Sequence, residues 1–167
     1  MKTIEISIIA PVFNEEAVIE EFYNRITDVL NRISSNFEII FIDDGSTDKT
    51  LDKIKKMGVQ DASVKAVSFS RNFGHGMAIS AGLSHARGEA VIIIDGDLQD
   101  PPEIVWEMLE RARENQERVV LACRKERKEN RAKVALANLY YWAMRRFTSA
   151  KFPSGGFDCF LIERKVV

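Results

Sequence analysis

The sequence predicts an α/β fold in which helices cover both faces of a mostly parallel central sheet. Short apolar runs alternate along the chain with amphipathic stretches of helical period, which is the pattern of strands joined by crossover helices. The 167 residues, 46% of them hydrophobic and 29% charged, are enough to bury one core of ordinary size. We therefore expect one domain over residues 1–167.

The elements follow from the apolar periodicity, taken in order along the chain. Five apolar runs predict strands at residues 4–10, 37–42, 64–69, 91–94 and 119–122. Pro11 is expected to end the first strand. Helices are predicted where apolar residues recur three and four apart, from about residue 15, near 51–57, over 77–86, near 104–112 and near 134–147. The last apolar stretch, after residue 156, is expected to be a strand with nothing to cover it.

The fourth strand leads directly into two acids. Residues 91–94 do not alternate in polarity, so this strand is expected to be buried on both faces in the middle of the sheet. Ligands of open α/β sheets bind at the carboxyl ends of strands, where Asp95 and Asp97 lie. In an extended segment, residues two apart point to the same side, so Asp95, Asp97 and Gln99 are predicted to share a face.

Such a set of oxygen ligands favours a hard divalent ion, Mg²⁺ or Mn²⁺. Mg²⁺ usually takes only one or two protein carboxylates, so the other ligands suggest a diphosphate and water. Gly96, which has no side chain, would let a substrate approach the backbone closely. Helix capping is the alternative role for acids at this place. Helix capping accounts for Asp100 and Glu103, whose spacing is that of a capping box. It does not account for Asp95 and Asp97.

Five segments of the chain resemble glycosyltransferase family 2, and within it the enzymes related to dolichol-phosphate mannose synthase and bacterial polyprenyl-phosphate hexose synthases. They are PVFNEE (11–16), FIDDGSTDKT (41–50), SRNFGHGMAISAGL (70–83), DGDLQDPPE (95–103) and GGFDCFLIERKVV (155–167). The resemblance implies a GT-A type fold. It also implies a metal-dependent, inverting transfer of a hexose from a UDP- or GDP-linked sugar to a polyprenyl phosphate.

The same resemblance implies roles for individual residues. The nucleotide-sugar-binding residues would be Pro11, Asn14, Glu15, Asp43, Asp44, Arg71 and Asp95. Arg71 would face the donor diphosphate and, with Asp97, form the catalytic pair. Asn14 fits a helix N-cap equally well. His75 is expected to be a packed loop histidine more readily than a substrate contact.

The late part of the chain is strongly basic. Residues 124–151 carry nine basic and two acidic side chains, whereas residues 1–123 carry 13 basic and 21 acidic ones. The resemblance implies that the acceptor phosphate binds here, at Arg124, Arg131 and Arg127. Aromatic and basic residues then follow together, which suits an anionic membrane surface and implies the cytoplasmic face of a membrane for the full-length protein. The acidic first part argues against nucleic-acid binding, and a homo-oligomer stays open.

Two other functions stay open from the sequence. A family 2 enzyme that glycosylates a saccharide hydroxyl would need a carboxylate base, for which Asp158 is the candidate. A non-catalytic, membrane-peripheral nucleotide-binding module would use the basic segment as its anchor. Because the family's domain normally continues further and often adds membrane helices, we expect this chain to be a soluble, truncated form whose activity is open. The sequence does not choose between uracil and guanine or among hexoses.

Overall fold

The computed structural model describes residues 4–123 and 157–166. The bounds of its elements are β1 Ile6–Val12, α1 Ile19–Ile33, β2 Phe37–Asp43, α2 Thr50–Gln60, β3 Val64–Ser68, α3 His75–His85, β4 Ala90–Ile93, α4 Ile104–Asn115, β5 Val119–Cys123, β6 Phe157–Glu163 and a final 3₁₀ turn Arg164–Val166. The described strands form one sheet in the order β3-β2-β1-β4-β6-β5. None of the described helices is long and apolar enough to cross a membrane.

The sheet is mostly parallel, as predicted. Strands β1 to β4 run parallel to one another, whereas β6 lies between β4 and β5 and runs antiparallel to both. The apolar stretch near the end of the chain, which the sequence left without a cover, is therefore an interior strand. Its Cys159 and Leu161 are buried in the core.

Helices cover both faces of the sheet, which also confirms the prediction. Apolar residues of α1, α2 and α4 pack on one face, where the ring of Phe22 lies edge-on to Phe41 at 6.1 Å between centroids. Helix α3 covers the other face, where Ala78 packs with Ile9 and Ile40. The short β4 is buried at Val91, Ile92 and Ile93, as expected of a central strand.

Two of the boundaries that differ from the prediction have a cause in the structure. Strand β1 continues through Pro11 to Val12, because the Pro11 carbonyl accepts a hydrogen bond from Gly96 beyond the end of β4, where the ladder needs no proline N–H. Helix α1 begins at Ile19, not near Glu15. The backbone N–H of Glu15 donates instead to the hydroxyl of Thr50, the first residue of α2, and residues 15–18 form a turn closed by a hydrogen bond from the Val18 N–H to the Glu15 carbonyl.

The predicted capping box at α4 is wrong. The helix begins at Ile104, with Glu103 in the N-cap position and no side-chain cap hydrogen bond. The Glu103 carboxylate instead accepts two hydrogen bonds from Arg25 of α1, at 2.6 and 3.0 Å. A partner on a neighbouring helix, which local spacing does not reveal, therefore determines the role of this acid.

A buried polar network lies at the opposite edge of the sheet from the predicted site. The Ser7 hydroxyl and the Arg87 backbone N–H donate to Oε1 of Glu38, at 2.5 and 2.6 Å. The Lys65 ammonium pairs with Oε2 of the same carboxylate. The Gly88 N–H donates to the Ser7 hydroxyl at 2.7 Å. Glu38 thus joins three neighbouring strands to the chain that enters β4.

The ionisation of Glu38 follows from these contacts. Burial alone would raise its pKa. Hydrogen bonds from Lys65, Ser7 and the Arg87 backbone, with the charge of Lys65, outweigh burial and hold the pKa below its ordinary value of 4.5. Glu38 is therefore a buried carboxylate that the fold keeps ionised.

Candidate active site

A cavity of about 250 Å³ lies at the carboxyl ends of β1, β2 and β4. Because β1 pairs in register with both neighbours, the residues that follow these three strands meet at one edge of the sheet. The cavity is lined by five residues that the sequence assigned to the site, and by one whose role it left open: Pro11, Glu15, Asp44, Asp95, Asp97 and His75. This is the place that the topology of an open α/β sheet favours for a ligand.

The chain after β4 turns instead of continuing as an extended segment. Oδ1 of Asp97 accepts a hydrogen bond from the Gln99 backbone N–H at 2.9 Å, and Leu98 has a left-handed φ of 60°. The extended geometry from which the shared face was predicted is therefore wrong beyond Asp95. Asp95 and Asp97 still reach the same cavity, whereas Gln99 is exposed and does not line it.

Gly96 lets this turn lie against β1. A Cβ atom at this position would stand 2.5 Å from Cγ1 of Val12, and the Gly96 N–H donates to the Pro11 carbonyl at 3.2 Å. The group that lies close to this glycine is a core side chain of β1, and the expected approach of a substrate stays a prediction. Glycine thus positions the two neighbouring acids by packing.

The cavity is electrostatically negative. Burial raises the pKa of Glu15, and the charges of Asp97, Asp48 and Asp95 raise it further. This repulsion shows that the acids on the two sides of the cavity interact. Because carboxylates that face one cavity repel each other, a bound cation would relieve the repulsion.

The two acids after β2 are engaged within the protein. Asp43 accepts hydrogen bonds from the Ser46 N–H at 3.1 Å and the Ser68 hydroxyl at 2.8 Å. Asp44 accepts from the backbone N–H groups of Phe73 and Gly74, at 2.7 and 2.9 Å. Both side chains are buried, but only Asp44 lines the cavity. Their nucleotide contacts stay predictions, and the structure adds a role in holding loops.

Gly45 allows the loop between β3 and α3 to pack closely against the end of β2. Its φ is +74°, and a Cβ here would stand 2.4 Å from the backbone carbonyl carbon of Arg71 and 2.8 Å from the Asn72 nitrogen. Only glycine fits both the left-handed backbone and this close approach. With Asp44, it fixes the loop that brings Asn72 and His75 to the cavity.

We expect Gly45→Ala to destabilise the fold by about 3 kcal/mol, because left-handed strain adds to overpacking against a backbone. Chemical denaturation measures the free energy of unfolding. Gly76→Ala is the matched control, since a Cβ at Gly76 in α3 meets no atom within 4 Å. Alanine there should leave stability unchanged or raise it by up to about 1 kcal/mol. Equal effects of the two substitutions would contradict the role given to Gly45.

Asn14 neither caps α1 nor lines the cavity. It has a left-handed φ of 57°, and its Oδ1 accepts from the Thr47 N–H at 2.8 Å. Its own N–H donates to the Ser46 hydroxyl at 3.0 Å. Asn14 thus joins the loop after β1 to the loop after β2, and the N-cap alternative is wrong because Val18 occupies that position.

Arg71 lies away from the cavity wall and His75 lies on it, and the contact of Arg71 with the donor diphosphate stays a prediction. The Arg71 guanidinium lies over the Phe73 ring, 4.9 Å from its centroid, and Arg71 does not line the cavity. His75 does line it, with Nδ1 3.6 Å from Oδ1 of Asp95. The sequence missed this position because the loop conformation depends on Asp44. The rule that strand ends meet at one edge would have indicated it.

The remaining predicted residues cannot be compared with the structure. Arg124, Arg127 and Arg131 lie outside the described residues. Asp158 is part of β6, of which only the backbone is described at this position. The acceptor-phosphate assignment therefore stays a prediction.

The chemistry of the cavity fits a divalent metal ion. Within residues 4–123 and 157–166, no group of three or more His, Cys, Asp or Glu is arranged to hold a metal ion. Two neighbouring carboxylates, Asp95 and Asp97, nevertheless face one cavity. Mg²⁺ is commonly bound through one or two carboxylates plus substrate phosphates and water, so a site of this kind needs no further protein ligand.

Comparison with known proteins identifies the family. Residues 7–167 match the family model described as Glycosyl transferase family 2. The uncharacterized glycosyltransferase YkcC of Bacillus subtilis is 42% identical over 98% of this chain and 50% of its own length. The prophage bactoprenol glucosyl transferase homolog of Escherichia coli is 39% identical over 98% of this chain and 53% of its own length. The chain thus spans about half the length of these relatives.

A solved structure gives the same result for the fold. The mannosyltransferase PcManGT of Pyrobaculum calidifontis, in complex with GDP-Man and Mn²⁺, superposes with a TM-score of 0.68 at 20% identity, over 99% of this chain and 46% of that one. The predicted GT-A type fold is confirmed. The match of 161 residues to the family model, with the agreement of the fold, shows that the chain belongs to glycosyl transferase family 2.

Proposed function

We propose that the protein transfers a hexose from a nucleoside diphosphate sugar to a polyprenyl phosphate, with inversion at the anomeric carbon. The observation that carries this proposal is the 39% identity, over 98% of the chain, to a protein named as a bactoprenol glucosyl transferase homolog. The acidic cavity at the carboxyl ends of the strands supports it, because Asp95 and Asp97 suit a metal–diphosphate group.

Asp95 and Asp97 would hold a Mg²⁺ or Mn²⁺ ion. That ion would supply positive charge that stabilises the departing diphosphate. The protein's own part is to keep both carboxylates at the cavity, through the Asp97–Gln99 turn and the packing of Gly96 on Val12. Pro11, Glu15 and Asp44 would shape the wall against which the nucleotide binds.

The reaction is a direct displacement. An oxygen of the acceptor phosphate forms a bond to the anomeric carbon as the bond from that carbon to the diphosphate oxygen breaks, and the electron pair leaves with the nucleoside diphosphate. A phosphate monoester is already anionic near neutral pH, since its second pKa is about 6. The nucleophile therefore needs no dedicated general base. Arg124, Arg127 and Arg131 remain our candidates for binding the acceptor phosphate at the cytoplasmic face of a membrane.

The test is an acceptor comparison. The protein is incubated with labelled UDP-glucose, UDP-N-acetylglucosamine or GDP-mannose, each with short polyprenyl phosphate or with an oligosaccharide, in Mg²⁺ or in EDTA. We expect label in the lipid fraction, from one donor, only when the metal is present. Label that enters only the oligosaccharide would refute the polyprenyl phosphate assignment. Metal-dependent nucleotide binding without transfer to any acceptor would instead favour a binding module.

A further inference from the structure

His75 lies in the cavity beside Asp95, a predicted metal ligand, and the proposed function gives it no role in binding the metal or the diphosphate. It is the first residue of α3, it lines the cavity, and its side chain is 52% exposed. Nδ1 of its ring faces Oδ1 of Asp95 at 3.6 Å. The loop that positions His75 is held by Asp44, whose carboxylate accepts a hydrogen bond from the N–H of Gly74, the residue before His75.

The neighbouring carboxylate determines which edge of the ring can serve a ligand. A neutral imidazole has one N–H donor and one lone-pair acceptor. The carboxylate of Asp95 favours the N–H on Nδ1, because a lone pair would face a negative oxygen there. Nε2 is then the acceptor, and the exposure of the ring leaves it available to a ligand in the cavity. An ionised phosphate oxygen has no hydrogen to donate to this lone pair, whereas a hydroxyl group does. A hydroxyl is therefore the better partner for Nε2.

We propose that His75 binds a hydroxyl group of the donor's hexose through Nε2, while Nδ1 is oriented by Asp95. The inference rests on the proposed function, because it requires a nucleotide sugar in this cavity. It adds a contact to the transferred sugar from the first residue of α3. His75 is then a residue that contributes to the choice of sugar, and not to the binding of the nucleoside diphosphate.

Binding measurements separate the hexose from the rest of the donor. Calorimetry in Mg²⁺ compares UDP-glucose with UDP, and GDP-mannose with GDP. For the pair that the unmodified chain binds, we expect His75→Ala to lower the affinity for the nucleotide sugar roughly 3- to 10-fold. This is the effect of losing one neutral hydrogen bond. The affinity for the nucleoside diphosphate should change less than twofold. His85→Ala, at the other end of the same helix, is the matched control and should change neither affinity.

Two conservative variants test which ring nitrogen matters. The amide of Gln reaches about as far as Nε2, whereas the shorter amide of Asn reaches about as far as Nδ1. We expect His75→Gln to restore much of the lost affinity for the sugar and His75→Asn to restore little. Restoration by Asn alone would mean that His75 only holds Asp95, which would overturn the proposed hydroxyl contact.

Nuclear magnetic resonance gives a readout that does not depend on a substitution in the cavity. The chain contains two histidines, so two sets of ring ¹⁵N signals are expected and His85→Ala assigns them. Adding the nucleotide sugar with Mg²⁺ should shift the His75 ring signals further than adding the nucleoside diphosphate, and should leave His85 unchanged. Equal shifts with both ligands would assign the contact to ribose or diphosphate and refute the inference. Absence of binding by the unmodified chain would refute the proposed function itself.

Discussion

Asp97→Asn is expected to reduce transfer to the acceptor roughly 100-fold, and to abolish the increase in nucleotide affinity that Mn²⁺ gives. The size corresponds to about 3 kcal/mol of charge stabilisation by a metal ion in the transition state. Asparagine is the sharpest substitution here, because Oδ1 of the new side chain can still accept from the Gln99 N–H and preserve the turn. The experiment thus removes a charge without removing the local structure.

Two measurements make this prediction decisive. Calorimetric titration of the nucleoside diphosphate, with Mn²⁺ and with EDTA, gives the metal-dependent part of the affinity. Asp28→Asn, on the exposed side of α1 and nine residues after its start, is the matched control for the loss of one carboxylate. Metal-dependent affinity that persists in Asp97→Asn would show that Asp97 is not a ligand.

We expect Glu38→Ala to destabilise the fold about as strongly as Gly45→Ala. The substitution removes the buried acceptor of the Ser7 hydroxyl and leaves the Arg87 N–H only its longer hydrogen bond to that hydroxyl, at 3.2 Å. It also removes the partner of Lys65. Each unsatisfied buried group costs about 1 to 3 kcal/mol, so we expect a total of about 3 kcal/mol. The melting temperature should fall by roughly 6 to 12 °C for a domain of this size.

The control for Glu38 is an ion pair at the surface. Glu20→Ala removes the partner of Lys53, 2.8 Å away, from a position where 63% of the glutamate side chain is exposed. Exposed pairs contribute little, so stability should change by less than about 1 kcal/mol. If the two substitutions cost the same, the buried network does not stabilise the fold as argued.

The stability of the protein should also depend on acid through Glu38. The pKa of Glu38 in the folded protein lies below its ordinary value of 4.5. Its ionised form therefore stabilises the fold above about pH 4.5, and this contribution is lost as the pH falls through the folded-state pKa. Denaturation measured between pH 7 and pH 3 should show a shallower loss for Glu38→Gln than for the unmodified protein.

The fold class could be predicted from the sequence because it depends on the order of strands and helices, and each of these elements is encoded by neighbouring residues. Apolar runs and helical periods identify strands and helices from a few neighbouring residues. The order of the strands is a different matter. Nothing local shows that residues 157–163 enter the sheet between two earlier strands, because this pairing joins positions separated by about 70 residues.

The candidate site shows the same division. The carboxyl-end rule placed Asp95 and Asp97 at the cavity, because it depends only on the direction of the strands, and the family resemblance assigned Glu15 and Asp44, which line the same cavity. Gln99 and Arg71 did not reach the cavity wall. Their positions depend on a turn and on a ring contact that spacing along the chain does not specify.

The antiparallel β6 has a consequence for the way the chain folds. Strand β5 has no described strand neighbour other than β6, and β6 also covers the outer edge of β4. During synthesis, β4 and β5 emerge from the ribosome well before the segment that joins them. The half of the sheet next to Asp95 is therefore assembled late, through contacts between distant parts of the chain, and its unpaired edges are open to wrong pairing until then.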